Sequence, residues 1–356
     1  MNALTTHGGP DGGLPVKWDF SSNANVCVQP DRLIRALAET DRHVYPDPHY
    51  TCLRTALGEA TGCSPDLIVP TSGSSEGIRR LTLAAMQSGV REVWVPQPSY
   101  GDYEAAATAL GLTVRKWHDV GKVFAELAGR ANAVPVLWWF CEPCNPTGAS
   151  LPADFWLELE PWLAGCVTVA IDRAYEPLRL HGHNPVPAHV AAECWQLFSP
   201  NKSCGLTGVR AGWMQAPRAA ARAQTPNVSQ VNRLAPSWVL SAEGVTLLTH
   251  WHSREIQDWL NTTRRQLAQW QVLQRQALTE RGWIHQTGSV TPFMLSRPPL
   301  RAAYPLPAWL AVLREQGIKL RDASSFGLPG WVRWRVHEPQ AAYALCQALD
   351  KMAVMA

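Results

Sequence analysis

Between residues 68 and 217, short apolar runs alternate with stretches of helical periodicity. The runs at 92–96, 134–140, 167–172 and 195–198 have the length and apolar continuity of buried strands, and 76–87 and 152–163 carry the spacing of helices between them. This alternation predicts the α/β class, a mostly parallel sheet covered by helices on both faces. After Pro236 the pattern changes. It predicts a long polar helix over roughly 250–281, a strand near 290–295, a helix near 306–316, strands at 318–321 and 331–336, and a closing helix from Gln340.

The change of pattern divides the chain into three parts. Residues 1–44, with clusters of Gly, Pro, Asn and Asp, form an extended N-terminal arm that joins part of a small domain. Residues 45–235 form the large domain, and 236–356 a smaller α+β C-terminal domain. There are no internal repeats or low-complexity segments.

Composition narrows the function. With 356 residues, 46% of them hydrophobic and 17% charged, the chain can bury a large core. Its net charge of +3 comes from scattered basic residues, so a nucleic-acid partner is not expected. Neither a secretory leader nor an apolar run long enough to cross a bilayer is evident, so no membrane association and a cytoplasmic location are expected. Nine cysteines at irregular spacing do not form a secreted disulfide framework. Cys141 and Cys144 match C-x-x-C, but a lone pair without companion ligands predicts no metal.

Reactive groups of open α/β sheets collect where strands end, and four places there carry polar residues. Asn145 follows the 134–140 run, Asp172 and Tyr175 follow 167–172, Lys202 follows 195–198, and Ser74-Ser75 opens the 76–87 helix. Taken singly, each has an ordinary explanation as a turn starter, a helix cap or a solvated charge. Together they are the fittings of pyridoxal 5'-phosphate. Backbone N–H groups at a helix start and Arg210 would hold a phosphate, Asp172 would pair with a protonated ring nitrogen, Asn145 and Tyr175 would reach a ring oxygen, and Lys202 would condense with an aldehyde.

Asn145-Pro146-Thr147-Gly148, Asp172 27 residues after Asn145, Lys202 30 residues further on, and Gly208-Val209-Arg210 follow one another in an order that resembles the fold-type I pyridoxal-phosphate enzymes, the aspartate aminotransferase superfamily. The resemblance covers nearly the whole chain and implies an aminotransferase-like large domain. Within the superfamily the chain is most similar to the histidinol-phosphate aminotransferase branch and, inside it, to threonine-phosphate decarboxylases of cobalamin biosynthesis. The closer match lies in His7-Gly8-Gly9, in the stretches 18–25 and 45–50, and in 320–327.

What the resemblance implies can be placed residue by residue. Lys202 would carry the covalent chemistry, with Asp172 and Tyr175 as its catalytic companions. Ser74, Ser75, Ser199 and Arg210 would form the phosphate cup, Tyr100 would stack on the cofactor ring, and Tyr45 would reach the cofactor phosphate of a partner subunit, which implies a homodimer with shared sites. Arg333 would clamp the substrate carboxylate, with Arg335, on the same strand face, not excluded. Arg321 would bind the substrate's own phosphate, and Asn23, Asn25 and His7 of the arm would close over the pocket, Asn145 facing it too. Val26 and Cys144 depart from residues common in relatives.

The expected substrate is therefore a small phosphorylated amino acid. Decarboxylation of L-threonine O-3-phosphate to (R)-1-amino-2-propanol O-2-phosphate is the leading expectation. Amino transfer on a compound such as histidinol phosphate is the alternative, and a non-catalytic binding protein of the same fold comes third. The abundance of Trp, 17 residues, carries no functional meaning in the sequence alone.

Overall fold

A computed structural model describes residues 7–129, 135–164, 167–218, 226–300 and 305–355. Its centre is a seven-stranded sheet whose strands, from one edge to the other, are Ile68–Thr71, Gly212–Gln215, Trp195–Phe198, Val167–Asp172, Val136–Cys141, Glu92–Pro96 and Thr113–Trp117. Only Gly212–Gln215 runs antiparallel to its neighbours. The α/β expectation holds. Residue 134, where a strand was expected to start, lies outside the described residues, which enter that strand at Val136.

Both faces of this sheet are covered, which is why its central strands have no polar alternation. Val136–Cys141 and Val167–Asp172 are buried at every position. Seven tryptophans, among them Trp94, Trp138, Trp139 and Trp156, are almost completely buried, so much of the Trp content is core filling. On one face Trp138 and Phe140 each meet Phe155 or Trp156 edge to face, with Trp138 and Phe140 tilted against each other, and each buried aromatic of this kind contributes about 1.5–3 kcal/mol.

The C-terminal part holds a four-stranded antiparallel sheet of Arg321–Asp322, Val332–Arg335, Phe293–Arg297 and Ile284–His285. Three expectations are corrected here. The polar helix expected over 250–281 is found but starts later, as Arg254–Thr279: Ser253 lies outside it, its Oγ accepting the N–H of Ile256 as a cap, and separates it from a further helix, Ala242–Trp251. The strand expected at 318–321 divides: Ile318–Lys319 pairs in parallel with Trp18–Asp19 of the arm, while Arg321–Asp322 joins Val332–Arg335. The arm is also not wholly extended, since Asp31–Ala38 is a helix that buries Leu33. Through Trp18–Asp19, the arm becomes an edge of the C-terminal part. Among the described residues, no helix is long and apolar enough to cross a membrane.

Candidate active site

The ends of the parallel strands open onto a cavity of about 580 Å³. Lys202 enters from the short helix Pro200–Ser203, immediately after the strand Trp195–Phe198. Its Nζ donates to Ser74 Oγ (3.3 Å) and lies 5.6 Å from the centre of the Tyr175 ring. Burial pulls the Lys202 ammonium below its ordinary range, the Asp172 carboxylate opposes this, and Arg210 adds to it.

Asp172 ends its strand beside Cys141 of the neighbouring one. Burial pushes its carboxyl up; Lys202, the Ala174 N–H (2.9 Å to Oδ1) and the Tyr103 hydroxyl (2.8 Å to Oδ2) pull it back down. The loops that follow these two strands are pinned to each other. Arg179 Nη2 donates to Glu142 Oε1 and to Glu176 Oε2, both at 2.8 Å, and Ser150 Oγ donates to Glu142 Oε1 at 2.5 Å. That buried cluster fixes Asn145 relative to Tyr175.

At the other side of Lys202, the helix Ser74–Gln87 points its first turn at the cavity. The Ser74 N–H donates to Ser199 Oγ (3.1 Å), and Ser75 Oγ shares a hydrogen bond with the Tyr100 hydroxyl (3.0 Å). Gly73, at φ 85°, turns the chain into the helix, and a Cβ there would stand 2.5 Å from Arg210 Nη2. Glycine therefore lets the guanidinium close the cup from outside. N–H groups of a first helical turn lack intrahelical partners, so serines, helix start and arginine make a place for a phosphate.

The opposite wall comes from the arm and the C-terminal sheet. Arg333 Nη1 donates to Asn145 Oδ1 (2.6 Å) and its Nη2 to the carbonyl of Ser21 (2.7 Å), while burial lowers it to about 10. Arg335 turns instead to the carbonyl of Ala24 (3.2 Å) and to His337 (3.4 Å). Arg321 donates to Ser325 Oγ and to the carbonyl of Asp322, both at 2.6 Å, and lies over the Phe326 ring at 5.0 Å. Asn23 Oδ1 and Arg333 Nε are buried without a partner, polar capacity that an anionic or amine-bearing ligand would meet.

The arm reaches this wall because it is fastened. Asp11 takes two hydrogen bonds from Arg314 (2.7 and 2.9 Å) and an ion pair from Lys319 (2.8 Å), which hold its carboxyl well below the usual range. Lys319 also donates to the Gly9 carbonyl. Gly8 packs so closely that a Cβ would stand 1.9 Å from the Ser21 carbonyl oxygen. His7 is thereby placed 3.6 Å from Asp102 and 5.8 Å, ring to ring, from Tyr100.

The structure thus brings Ser74, Tyr100, Asn145, Asp172, Tyr175 and Lys202 to one cavity and sets His7, Asn23, Arg321 and Arg333 across it. Ser75, Ser199 and Arg210 adjoin them. Asn25 lines the cavity too, but its side chain is spent on the protein, donating to the Ser203 carbonyl (3.0 Å) and accepting from the Cys27 N–H (3.0 Å). Tyr45 stands apart, 74% exposed and stacked on Trp238 at 4.2 Å. Cys141 and Cys144 are free thiols. Sequence reasoning missed Tyr103 and the Asp11 clamp, which carry no local motif, and gave no role to Ser325 within the 320–327 stretch.

Residues 16–349 match the aminotransferase class I and II family. The chain belongs to that family. It is 27% identical over 354 residues to histidinol-phosphate aminotransferase 2 of Caulobacter vibrioides, covering 95% of this chain and 86% of that protein. Among solved structures it resembles a histidinol-phosphate aminotransferase of Sinorhizobium meliloti in complex with pyridoxal-5'-phosphate (TM-score 0.75, 20% identity, 96% of this chain and 92% of that one). It also resembles L-threonine-O-3-phosphate decarboxylase of Porphyromonas gingivalis (TM-score 0.74, 20% identity, 94% and 99%). At such identities, these structures establish the fold. The cofactor of the family is pyridoxal phosphate, and the lysine, carboxylate and phosphate cup described above fit it.

Proposed function

We infer that this chain is a pyridoxal-phosphate enzyme acting on a small phosphorylated amino compound, and that amino transfer is its reaction. One observation carries the reading: an amine relieved of part of its proton affinity faces a buried carboxylate in a cavity whose far wall holds two arginines, Arg321 and Arg333. The relatives named as histidinol-phosphate aminotransferases support amino transfer.

When bound, the cofactor supplies an electrophilic aldehyde and a cationic ring that accepts charge from the substrate's α-carbon. The chain's residues do the rest. Lys202 would condense with the aldehyde, with loss of water, and once displaced by substrate would be placed to move the proton at the α-carbon, a role that suits an amine whose charged form is destabilised by burial. Asp172 holds a proton at the ring nitrogen. Tyr175 and Asn145 would donate to the ring oxygen, and Tyr100, which lines the same cavity, would cover the ring. Ser74, Ser75, Ser199 and Arg210 take the cofactor phosphate with charge-assisted hydrogen bonds of about 1.5–3 kcal/mol each.

Arg333 would clamp the carboxylate of whichever reactant carries one, glutamate or 2-oxoglutarate in amino transfer, with the Asn145 and Ser21 contacts orienting its fork, and these favour it over Arg335. Arg321 takes the substrate phosphate, with His7 and Asn23 closing the arm side. Tyr45, turned away from its own cavity, serves the cofactor phosphate of a second copy in a homodimer.

Decarboxylation of L-threonine O-3-phosphate is the second reading, favoured by a specific observation. The two stretches most similar to those decarboxylases, His7-Gly8-Gly9 and 320–327, both line the cavity, the latter through Arg321, Ser325 and Phe326. With the cofactor bound, the α-carbon bond held perpendicular to its ring would be the one to break, so how Arg333 orients a substrate carboxylate would select between the reactions. The test is to incubate holoenzyme in parallel with histidinol phosphate plus 2-oxoglutarate and with threonine phosphate. Glutamate formation supports amino transfer. Release of carbon dioxide with no keto acid transfers the assignment to the decarboxylase, and a protein that takes up no cofactor sinks both.

A further inference from the structure

Behind the cofactor side of the cavity lies a group that the proposed chemistry does not yet use. Tyr103, on the helix Gly101–Ala109, has no solvent exposure. Its ring lies parallel to Trp139 (5.0 Å between centroids, 11° between planes) and edge-on to Tyr100 (5.8 Å, 84°). Held in that slot, its hydroxyl donates to Asp172 Oδ2 at 2.8 Å. Burial keeps the phenol neutral, well above its ordinary titration range, so it is a donor at any working pH.

We propose that Tyr103 is a positioning residue: its hydrogen bond holds the Asp172 carboxylate ionised and aimed at the cofactor ring nitrogen, while its ring ties that carboxylate to Tyr100. The proposal rests on the cofactor assignment above. A carboxylate in this environment has two opposed tendencies. Burial favours the neutral acid, which could not keep a ring nitrogen protonated, and hydrogen bonds to the charged form favour the anion. Oδ1 already takes the Ala174 N–H, and Oδ2 has Tyr103. The other titratable groups facing Asp172 are Lys202, Asp102, Cys141 and Tyr175; Lys202 favours the anion and Asp102 opposes it. Cys141, with burial holding its thiol neutral, sits against both Tyr103 and Asp172. Tyr103 is therefore the only neutral side-chain donor among the described residues given a hydrogen bond to this carboxylate.

Tyr103→Phe keeps the stacked ring and removes one oxygen. The test is to resolve the protein from its cofactor and titrate it, from pH 5 to 9, with pyridoxal phosphate and with the analogue whose ring nitrogen is replaced by CH. The variant should bind pyridoxal phosphate about tenfold more weakly, with the acid limb of binding moved to higher pH, because the anion of Asp172 has lost a hydrogen bond. The analogue, which asks nothing of Asp172, should bind wild type and variant alike. Trp139→Phe, which loosens the slot and keeps the hydroxyl, should shift the acid limb in the same direction by less, and it carries the test if Tyr103→Phe does not fold. Equal weakening of both ligands, or an unmoved acid limb, would overturn the proposal and leave Tyr103 a core tyrosine. Wild type that binds neither ligand would instead refute the cofactor assignment.

Discussion

The two walls of the cavity are built differently. On the large-sheet side, Asp172 ends a parallel strand and Asn145, Tyr175 and Lys202 each follow one by no more than a few residues, so the sheet itself sets their spacing. On the other side, Arg321 and Arg333 come from antiparallel strands, and Arg333 is set by an arm segment more than three hundred positions away in the chain: Ser21 and Ala24 take the guanidiniums of Arg333 and Arg335. One wall is a consequence of topology and the other of docking. Binding an invariant cofactor suits the first, and tuning to a particular substrate suits the second, because docked segments can change without disturbing the sheet.

That comparison can be broken most severely at the cofactor wall. Lys202→Ala should lower turnover by about 10⁴-fold or more and abolish the visible band of the purified protein, followed by absorbance. A variant that retained the band would show that another amine does this chemistry.

At the substrate wall the losses should be smaller and confined to substrate. Arg333→Gln should raise KM for the carboxylate-bearing substrate about 10- to 100-fold, and Arg321→Ala should do the same for phosphorylated substrates only, as each loses charge-assisted hydrogen bonds. Cofactor affinity, measured by titration, should change less than about twofold in both. If it fell in parallel, the walls would not be separable.

His337 sharpens the comparison through pH. Burial and the neighbouring Arg335 lower it from 6.5 to about 4. The folded protein therefore binds fewer protons than the unfolded chain between those values, and stability is lost as pH falls from 6.5 towards 4. Denaturant unfolding across that range should show a decline of about 2–3 kcal/mol, flattened in His337→Gln. The smallest effect belongs to the arm clamp. Asp11→Asn should cost about 0.5–1 kcal/mol at neutral pH, since the pair is partly exposed. The depressed carboxyl contributes above its ordinary range, so the difference from wild type should shrink as acid protonates it.

The legibility of the site follows the same division. Residues 145, 172 and 202 could be read from the chain because a buried parallel strand has an unmistakable apolar pattern and the first polar residues after it must lie at the sheet's carboxyl edge. Ser74 and Ser75 were legible as a glycine-led helix start. Asn25 was misleading in its company: the residue is in the cavity wall, yet its amide is committed to Ser203 and Cys27. Tyr103 was invisible, since one tyrosine within a helix looks like any other until its hydroxyl is found against Asp172.

The sequence by itself determined the strand-helix alternation, the class of fold and the order of the polar residues at the strand ends, because periodicity and strand ends are local properties that short stretches of chain express without help. Tertiary structure alone decided which arginine meets Asn145, where the arm is clamped, that 318–319 and 321–322 serve different sheets, and what Tyr103 donates to. These depend on contacts between segments far apart in the chain, and such contacts are fixed by packing the whole molecule rather than by any pattern within one segment.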